Sequence, residues 1–261
     1  MPEGHRAYAV GDIHGRFDLL EDMLGQIEAD AAGHDPQRIL LVFLGDLIDR
    51  GPASCEVIDR LRNYRPGFRI FFLTGNHEEV LLRVLAGERS ILSHWLKFGG
   101  SECMLSYGVD PGVLQRSGER EGQAIVERAI PADHQKFIAS FDDTLRFGDY
   151  LFVHAGIRPK VDLSLQLQSD LRWIRQPFLD DVGNHGFVVV HGHTIEDRVV
   201  SRPNRIGIDT GAYRTGVLTA AVLEGSERRF LSTAGDAGGS DVRVDFGKNA
   251  PDGTFFEGRA Y

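Results

Sequence analysis

The sequence predicts an α/β fold built on a mixed β-sheet. Short apolar, β-branched runs recur through the 261 residues, the early ones alternate with stretches of helical periodicity, and five of them lead into loops that carry Asp, Asn or His beside Gly. The five loops are GDIHG at 11–15, GDLIDRG at 45–51, GNHE at 75–78, HAG at 154–156 and HGHT at 191–194. Strands that feed glycine-cornered loops gather residues distant in sequence at one edge of a sheet, so that edge is where a site is expected.

The elements follow in order. The run YAV precedes the first loop, and Phe17, Leu20, Met23, Leu24 and Ile27 then repeat at the spacing of one helix face. ILLVFL precedes the second loop, and Val57, Ile58 and Leu61 repeat that face. RIFFLT precedes the third, with a helix expected from near Glu78, Val80, Leu81, Val84 and Leu85 turned inward and Gly87 as its stop. The first 85 residues therefore read β-α-β-α-β-α. From 88 to 149 the pattern loosens around Gly99-Gly100 and Asp110-Pro111-Gly112, and a mainly helical cap insert over the sheet edge is expected. Strands resume at 150–153, 187–190 and 205–208, and runs at 217–223 and 229–232 lie close enough to pair antiparallel. One domain is expected over 1–234, and the Gly-, Asp- and Ser-rich remainder, 235–261, reads as an edge strand or a mobile tail. No internal repeat is found.

Composition excludes several classes. A 42% hydrophobic content supplies a core and rules out a disordered chain. With 29 Lys and Arg against 38 Asp and Glu, a net charge of −9 argues against binding a nucleic-acid backbone. The N-terminal residues lack the apolar stretch of a signal peptide, and the longest apolar run, 39–44, is too short to span a bilayer, so a cytoplasmic protein without membrane contact is expected. Cys55 and Cys103 have no CxxC spacing and are read as packed thiols.

The five loops define the chemistry. Asp12 and His14 lie one residue apart at a strand end and can grip one cation, with Asp46 completing the grip. A carboxylate can bridge two cations, and Asn76, His154 and His193 supply the neutral donors a second transition metal accepts. Two cations ~3.5–4 Å apart would hold a bridging hydroxide at neutral pH, which implies hydrolytic attack on phosphorus. His77, beside Asn76, fits a general acid that protonates the leaving oxygen, with Asp49 orienting it, and Arg50 offers a fork for the phosphoryl oxygens. A lone GDIHG could be a turn with a surface histidine, and a lone HGHT a core histidine; five such loops, each ending an apolar run, favour a joint site. Trp95, Phe98 and Trp173 are read first as packing residues, with stacking on a substrate the alternative, and His191 either orients a ligand or is hydrogen-bonded structure.

On these residues, together with LRWIR and IDTGA, the chain resembles the phosphoprotein phosphatase branch of the calcineurin-like metallophosphoesterases over about residues 7–232, and is most similar to small bacterial serine/threonine protein phosphatases. The resemblance implies a two-sheet sandwich flanked by helices. It implies that Asp12, His14 and Asp46 hold the first metal, that Asp46 bridges to a second held by Asn76, His154 and His193, and that His77 and Asp49 form the acid pair. Arg50, Arg175 of WIR and Asn76 take the substrate phosphate, with Arg158 a weaker match. Manganese is the metal expected, Fe, Zn, Co or Ni suiting the same donors. Phosphodiesterase and nuclease members usually read GHxH where this chain has Ile195, which disfavours a nuclease. The implied activity is hydrolysis of phosphoserine and phosphothreonine monoesters. Symmetrical dinucleoside tetraphosphate hydrolysis is the alternative, and a phosphate-sensing pseudoenzyme ranks last.

Overall fold

The computed structural model describes residues 1–233, and the expected edge strand or tail over 235–261 lies outside the described residues. The first half follows the sequence closely: β1 (Arg6–Val10), α1 (Phe17–Ala31), β2 (Ile39–Phe43), α2 (Ser54–Arg62), β3 (Arg69–Phe72) and α3 (Asn76–Leu85). Short helices fill the next stretch: α4 (Leu92–Trp95), α5 (Ser101–Ser106), α6 (Pro111–Arg116), α7 (Glu119–Ala129) and α8 (Ala132–Ile138). They are followed by β4 (Thr144–Phe147), β5 (Tyr150–Val153), α9 (Gln168–Trp173), β6 (Val188–His191), β7 (Val200–Ser201), β8 (Arg205–Gly207), α10 (Ala212–Thr215), β9 (Thr219–Glu224) and β10 (Glu227–Ser232).

The strands form two mixed sheets, ordered β10-β9-β1-β2-β3 and β4-β5-β6-β8-β7. The alternation of side chains along each strand explains the layering. Ala7, Ala9, Leu40, Val42 and Phe71 of the first sheet share one apolar cluster with Leu145, Phe152, Val190 and Ile206 of the second, so the sheets pack face to face. The alternate residues Tyr8, Val10, Leu41, Phe43 and Phe72 face helices, joining Leu20, Ile58, Leu81 and Trp95 in a second cluster. Leu151, Val153 and Val189 face outward from the second sheet against Leu171, Ile174 and Phe178. This is the sandwich flanked by helices that the resemblance implied.

Differences from the sequence reading are local. α3 begins at Asn76 rather than near Glu78, because Gly75 is its N-cap and the Glu78 carboxylate turns back to accept the Gly75 amide at 2.9 Å. β4 lies within the 88–149 stretch, where Thr144 to Phe147 pair antiparallel with β5 in an alternating pattern too short to stand out. The next strand starts at Thr219 rather than at 217, since the Val217 amide is taken by Thr215 Oγ1 at 3.1 Å in the preceding turn.

Register places the loops together. Val10 pairs Phe43 and Phe43 pairs Phe72, so three parallel strands end level and release their loops at one edge. In the second sheet Phe152 pairs Val190 and His191 pairs Gly207, which does the same for the two histidine loops.

Candidate active site

Backbone hydrogen bonds tie the first loop to the second and, through the Gly192 amide donating to the His154 carbonyl at 2.8 Å, the fifth loop to the fourth. The amides of Ile13 and His14 donate to the Asp46 carbonyl at 3.1 and 2.9 Å, and that of Gly15 donates to Leu47 O at 2.9 Å. The turns are so close that a Cβ at Gly75 would lie 2.2 Å from Asp46 Oδ1. Of the seven non-glycine residues with positive φ among the described residues, five are His14, Asp46, Asp49, Arg50 and His193. Strained backbone of this kind persists where the surrounding contacts over-determine it, and it aims the side chains inward.

Hydrogen bonding then decides which ring nitrogens are bare. His14 Nδ1 lies 2.9 Å from the Ile48 carbonyl and His154 Nδ1 2.8 Å from the Leu44 carbonyl; a carbonyl can only accept, so both Nδ1 atoms carry the proton. Burial, the first cause in each case, pushes the His14 pKa down to about 3 and that of His193 to about 2, and lowers that of His154, so these rings are neutral and their remaining nitrogens present lone pairs. His14 Nε2 is 3.6 Å from Asp46 Oδ2, and His154 Nε2 is 3.5 Å from Asp46 Oδ1. Asn76 Oδ1 lies 3.0 Å from His154 Nε2 and 2.8 Å from His193 Nδ1. His193 Nε2 is buried with no hydrogen-bond partner among the described residues.

Lone pairs that face one another in a buried site call for a cation between them. Two such groups meet the spacing a metal needs, His14 with Asp46 and His77, and Asp46 with His154 and His193, and Asp46 belongs to both. The nitrogen and oxygen donors fit divalent transition metals. In the first group His77 stands where Asp12 was expected. The Asp12 carboxylate, 2% exposed, instead accepts the His193 amide at 3.1 Å, although it lines the same cleft.

His77 differs from its neighbours. Its Nδ1 is 2.6 Å from Asp49 Oδ2, and although burial lowers its pKa, Asp46 and Asp49 outweigh burial and raise it above the ordinary value. This ring holds its proton more tightly than the others do. The two residues expected to form the acid pair, His77 and Asp49, are thus in contact, and Arg50 lines the same cleft with its guanidinium 4.7 Å from the ring centre of Tyr213. Arg175 also borders the cleft, which encloses about 530 Å³. Arg158 is directed elsewhere, paired with Asp170 at 2.9 and 2.7 Å. His191 is fully buried behind the loops, 3.3 Å from Arg205 Nη1 through Nε2.

Several residues read first as packing, or given no role, also reach the cleft. Phe98 and Trp173, expected to pack, are 55% and 37% exposed and border the cleft, while Trp95 is buried as expected yet also reaches Asp49. Asp209 lines the cleft, with Oδ1 accepting the Gly211 amide at 2.9 Å. Its signal was present in IDTGA, an acid that ends an apolar run like the other loops.

A family profile described as Calcineurin-like phosphoesterase matches residues 5–214. The chain belongs to this family. It is therefore a metallophosphoesterase, a hydrolase whose relatives carry more than one substrate name. It is 31% identical over 218 residues to serine/threonine-protein phosphatase 1 of Salmonella typhimurium, covering 83% of this chain and 91% of the relative. It is 29% identical over 234 residues to the asymmetrical bis(5′-nucleosyl)-tetraphosphatase PrpE of Halalkalibacterium halodurans, covering 85% and 91%. Among solved structures it is similar to a cold-active protein tyrosine phosphatase, with a TM-score of 0.60 at 20% identity over 87% of this chain and 75% of that one, a likeness of fold. Among the described residues no helix of the phosphoesterase is long and apolar enough to cross a membrane.

Proposed function

We propose that this phosphoesterase removes phosphate from phosphoserine and phosphothreonine in cytoplasmic proteins, using two divalent metals, manganese first among them. The observation that carries the reading is the contrast at one end of the cleft between His14, His154 and His193, whose pKa values burial lowers around the shared Asp46, and His77, whose pKa Asp46 and Asp49 raise. Asp12, His14 and Asp46 would hold one cation and Asp46, Asn76, His154 and His193 the other. When bound, the pair supplies Lewis acidity and an activated water for direct attack on phosphorus.

The rest is done by the chain itself. Asp49 accepts the Nδ1 proton of His77 at 2.6 Å and fixes the ring, so Nε2 presents the proton that the leaving oxygen takes. Arg50, Arg175 and the Asn76 amide meet the phosphoryl oxygens as their charge grows. Burial of His14, His154 and Asp46 keeps bulk water from screening these charges. Similarity over most of the chain to a serine/threonine phosphatase supports the phosphoprotein substrate.

A second reading, hydrolysis of dinucleoside tetraphosphates, is favoured by Phe98 and Trp173, exposed aromatic rings on which a base could stack. Incubating Mn-loaded protein with a phosphothreonine peptide and diadenosine tetraphosphate in one tube, with products separated by chromatography, distinguishes the two. Phosphate with intact dinucleotide is the expected result. Dinucleotide cleavage with intact peptide would overturn it, with ADP marking a symmetrical and ATP plus AMP an asymmetrical cut. Turnover of neither would favour a phosphate sensor.

A further inference from the structure

We infer that Trp95, at the end of α4, is a positioning residue for proton delivery by His77, acting through Asp49. The inference rests on the proposed role of His77 and adds a component that no loop motif contains.

Asp49 is fully buried, and its Oδ2 accepts two hydrogen bonds, from His77 Nδ1 at 2.6 Å and from Trp95 Nε1 at 2.8 Å. A carboxylate held by one donor can rotate about its last bond. A second N–H on the same oxygen removes that freedom and leaves the other lone pair aimed at the histidine. The indole has a single donor and no acceptor, so at 1% exposure its N–H has one purpose to serve. Asp49 Oδ1 has no hydrogen-bond partner among the described residues, which makes the two bonds at Oδ2 all the more decisive for its orientation.

The segment that follows Trp95 is shaped to keep the indole there. Residues Leu96–Gly100 form a π-type turn, and a Cβ at Gly100 would lie 2.4 Å from the indole Cδ2, so only glycine leaves room for the ring. Gly99, at φ +118°, accepts the Arg50 amide through its carbonyl at 3.1 Å, and a Cβ there would lie 2.6 Å from that same nitrogen. The turn thus grips two successive residues of the second loop, Asp49 by side chain and Arg50 by backbone. The helical stretch over 92–138 is thereby coupled to the acid pair.

The test compares kcat on p-nitrophenyl phosphate, whose leaving group needs little protonation, with kcat on a phosphoserine peptide, whose alkoxide needs it. Trp95→Phe keeps an aromatic ring and removes the donor. It is expected to lose about tenfold on the peptide and much less on the nitrophenyl ester, with KM unchanged. Val126→Ala, a cavity in the same core cluster away from the cleft, controls for packing and should slow both substrates alike. His77→Asn separates the two levels of the argument. If it slows both esters equally, the acid assignment fails; if it is selective for the peptide while Trp95→Phe is not, the inference about Trp95 alone fails.

A second measurement does not depend on how Trp95→Phe folds. The chain has two tryptophans, so Trp173→Phe assigns their indole protons by NMR. The Trp95 proton should exchange slowly and lie downfield, and should move upfield in Asp49→Asn. An unmoved resonance would overturn the proposed bond.

Discussion

Glu78 holds Asp46 from behind: its Oε2 accepts the Asp46 amide at 2.8 Å and the Gly75 amide at 2.9 Å, while Oε1 accepts the Leu47 amide at 2.8 Å. One buried carboxylate therefore joins the second and third loops. Burial and the nearby Asp46 charge push its pKa up to about 7, against the pull of the amides that hydrogen-bond its charged form. Glu78→Gln would turn an NH2 group toward an amide donor, because a carboxamide accepts at one end only. We expect a loss of about 2 kcal/mol in denaturant unfolding, with weakened metal binding measured by calorimetry. Wild-type stability in this variant would show that the loops are held by other contacts.

Asp46 is shared by both candidate metal groups. Asp46→Asn is expected to lose most of both metals by elemental analysis, and full occupancy of two ions in the variant would refute the bridging role. The same donors predict that chelation lowers the melting temperature of the wild-type protein. Manganese at about 100 times its dissociation constant should restore about 2.7 kcal/mol.

Arg50 lies over the Tyr213 ring, 4.7 Å from its centre, and Tyr213 also packs edge-on against His14 at 5.3 Å. The ring orients the guanidinium without neutralising it. Tyr213→Phe keeps the face and should leave KM nearly unchanged, while Tyr213→Leu should raise KM for phosphoesters by about three- to tenfold. Equal effects of the two substitutions in steady-state kinetics would assign the contribution to the hydroxyl instead.

Asp30 on α1 clasps two strands, accepting Tyr8 Oη and Arg229 Nη2 at 2.5 Å and Arg6 Nη1 at 3.0 Å. Burial raises its pKa, but the bonds from Arg229 and Tyr8 outweigh burial and hold the carboxyl below its ordinary 3.8. A carboxyl with a depressed folded pKa contributes stability above its unfolded value, and that contribution is lost as pH falls through the lower folded one. The stability gap between wild type and Asp30→Asn in urea should be present at pH 6 and shrink below about pH 4. A gap independent of pH would mean that the charge on Asp30 contributes nothing.

The five loops were legible because each is a local pattern: an apolar strand, a glycine corner and a polar side chain within a few residues. The helices of the first half were legible for the same reason, since 3.6-residue periodicity needs no partner. The short alternating strand β4 and the two-residue β7 carried too little pattern to stand out.

Side-chain chemistry and strand order thus specify the residue types at the sheet edge and the family to which the chain belongs. They do not specify which atoms face one another. Trp95 meets Asp49 across 46 residues and His193 meets Asn76 across 117, contacts for which no local periodicity exists. Sequence spacing gives His77 the acid's place beside Asn76, but not the surroundings that raise its pKa while that of His14 falls to about 3. At His77 the Asp46 and Asp49 carboxylates outweigh burial, whereas at His14 burial, with the neighbouring His77, outweighs Asp46 and the Ile48 carbonyl.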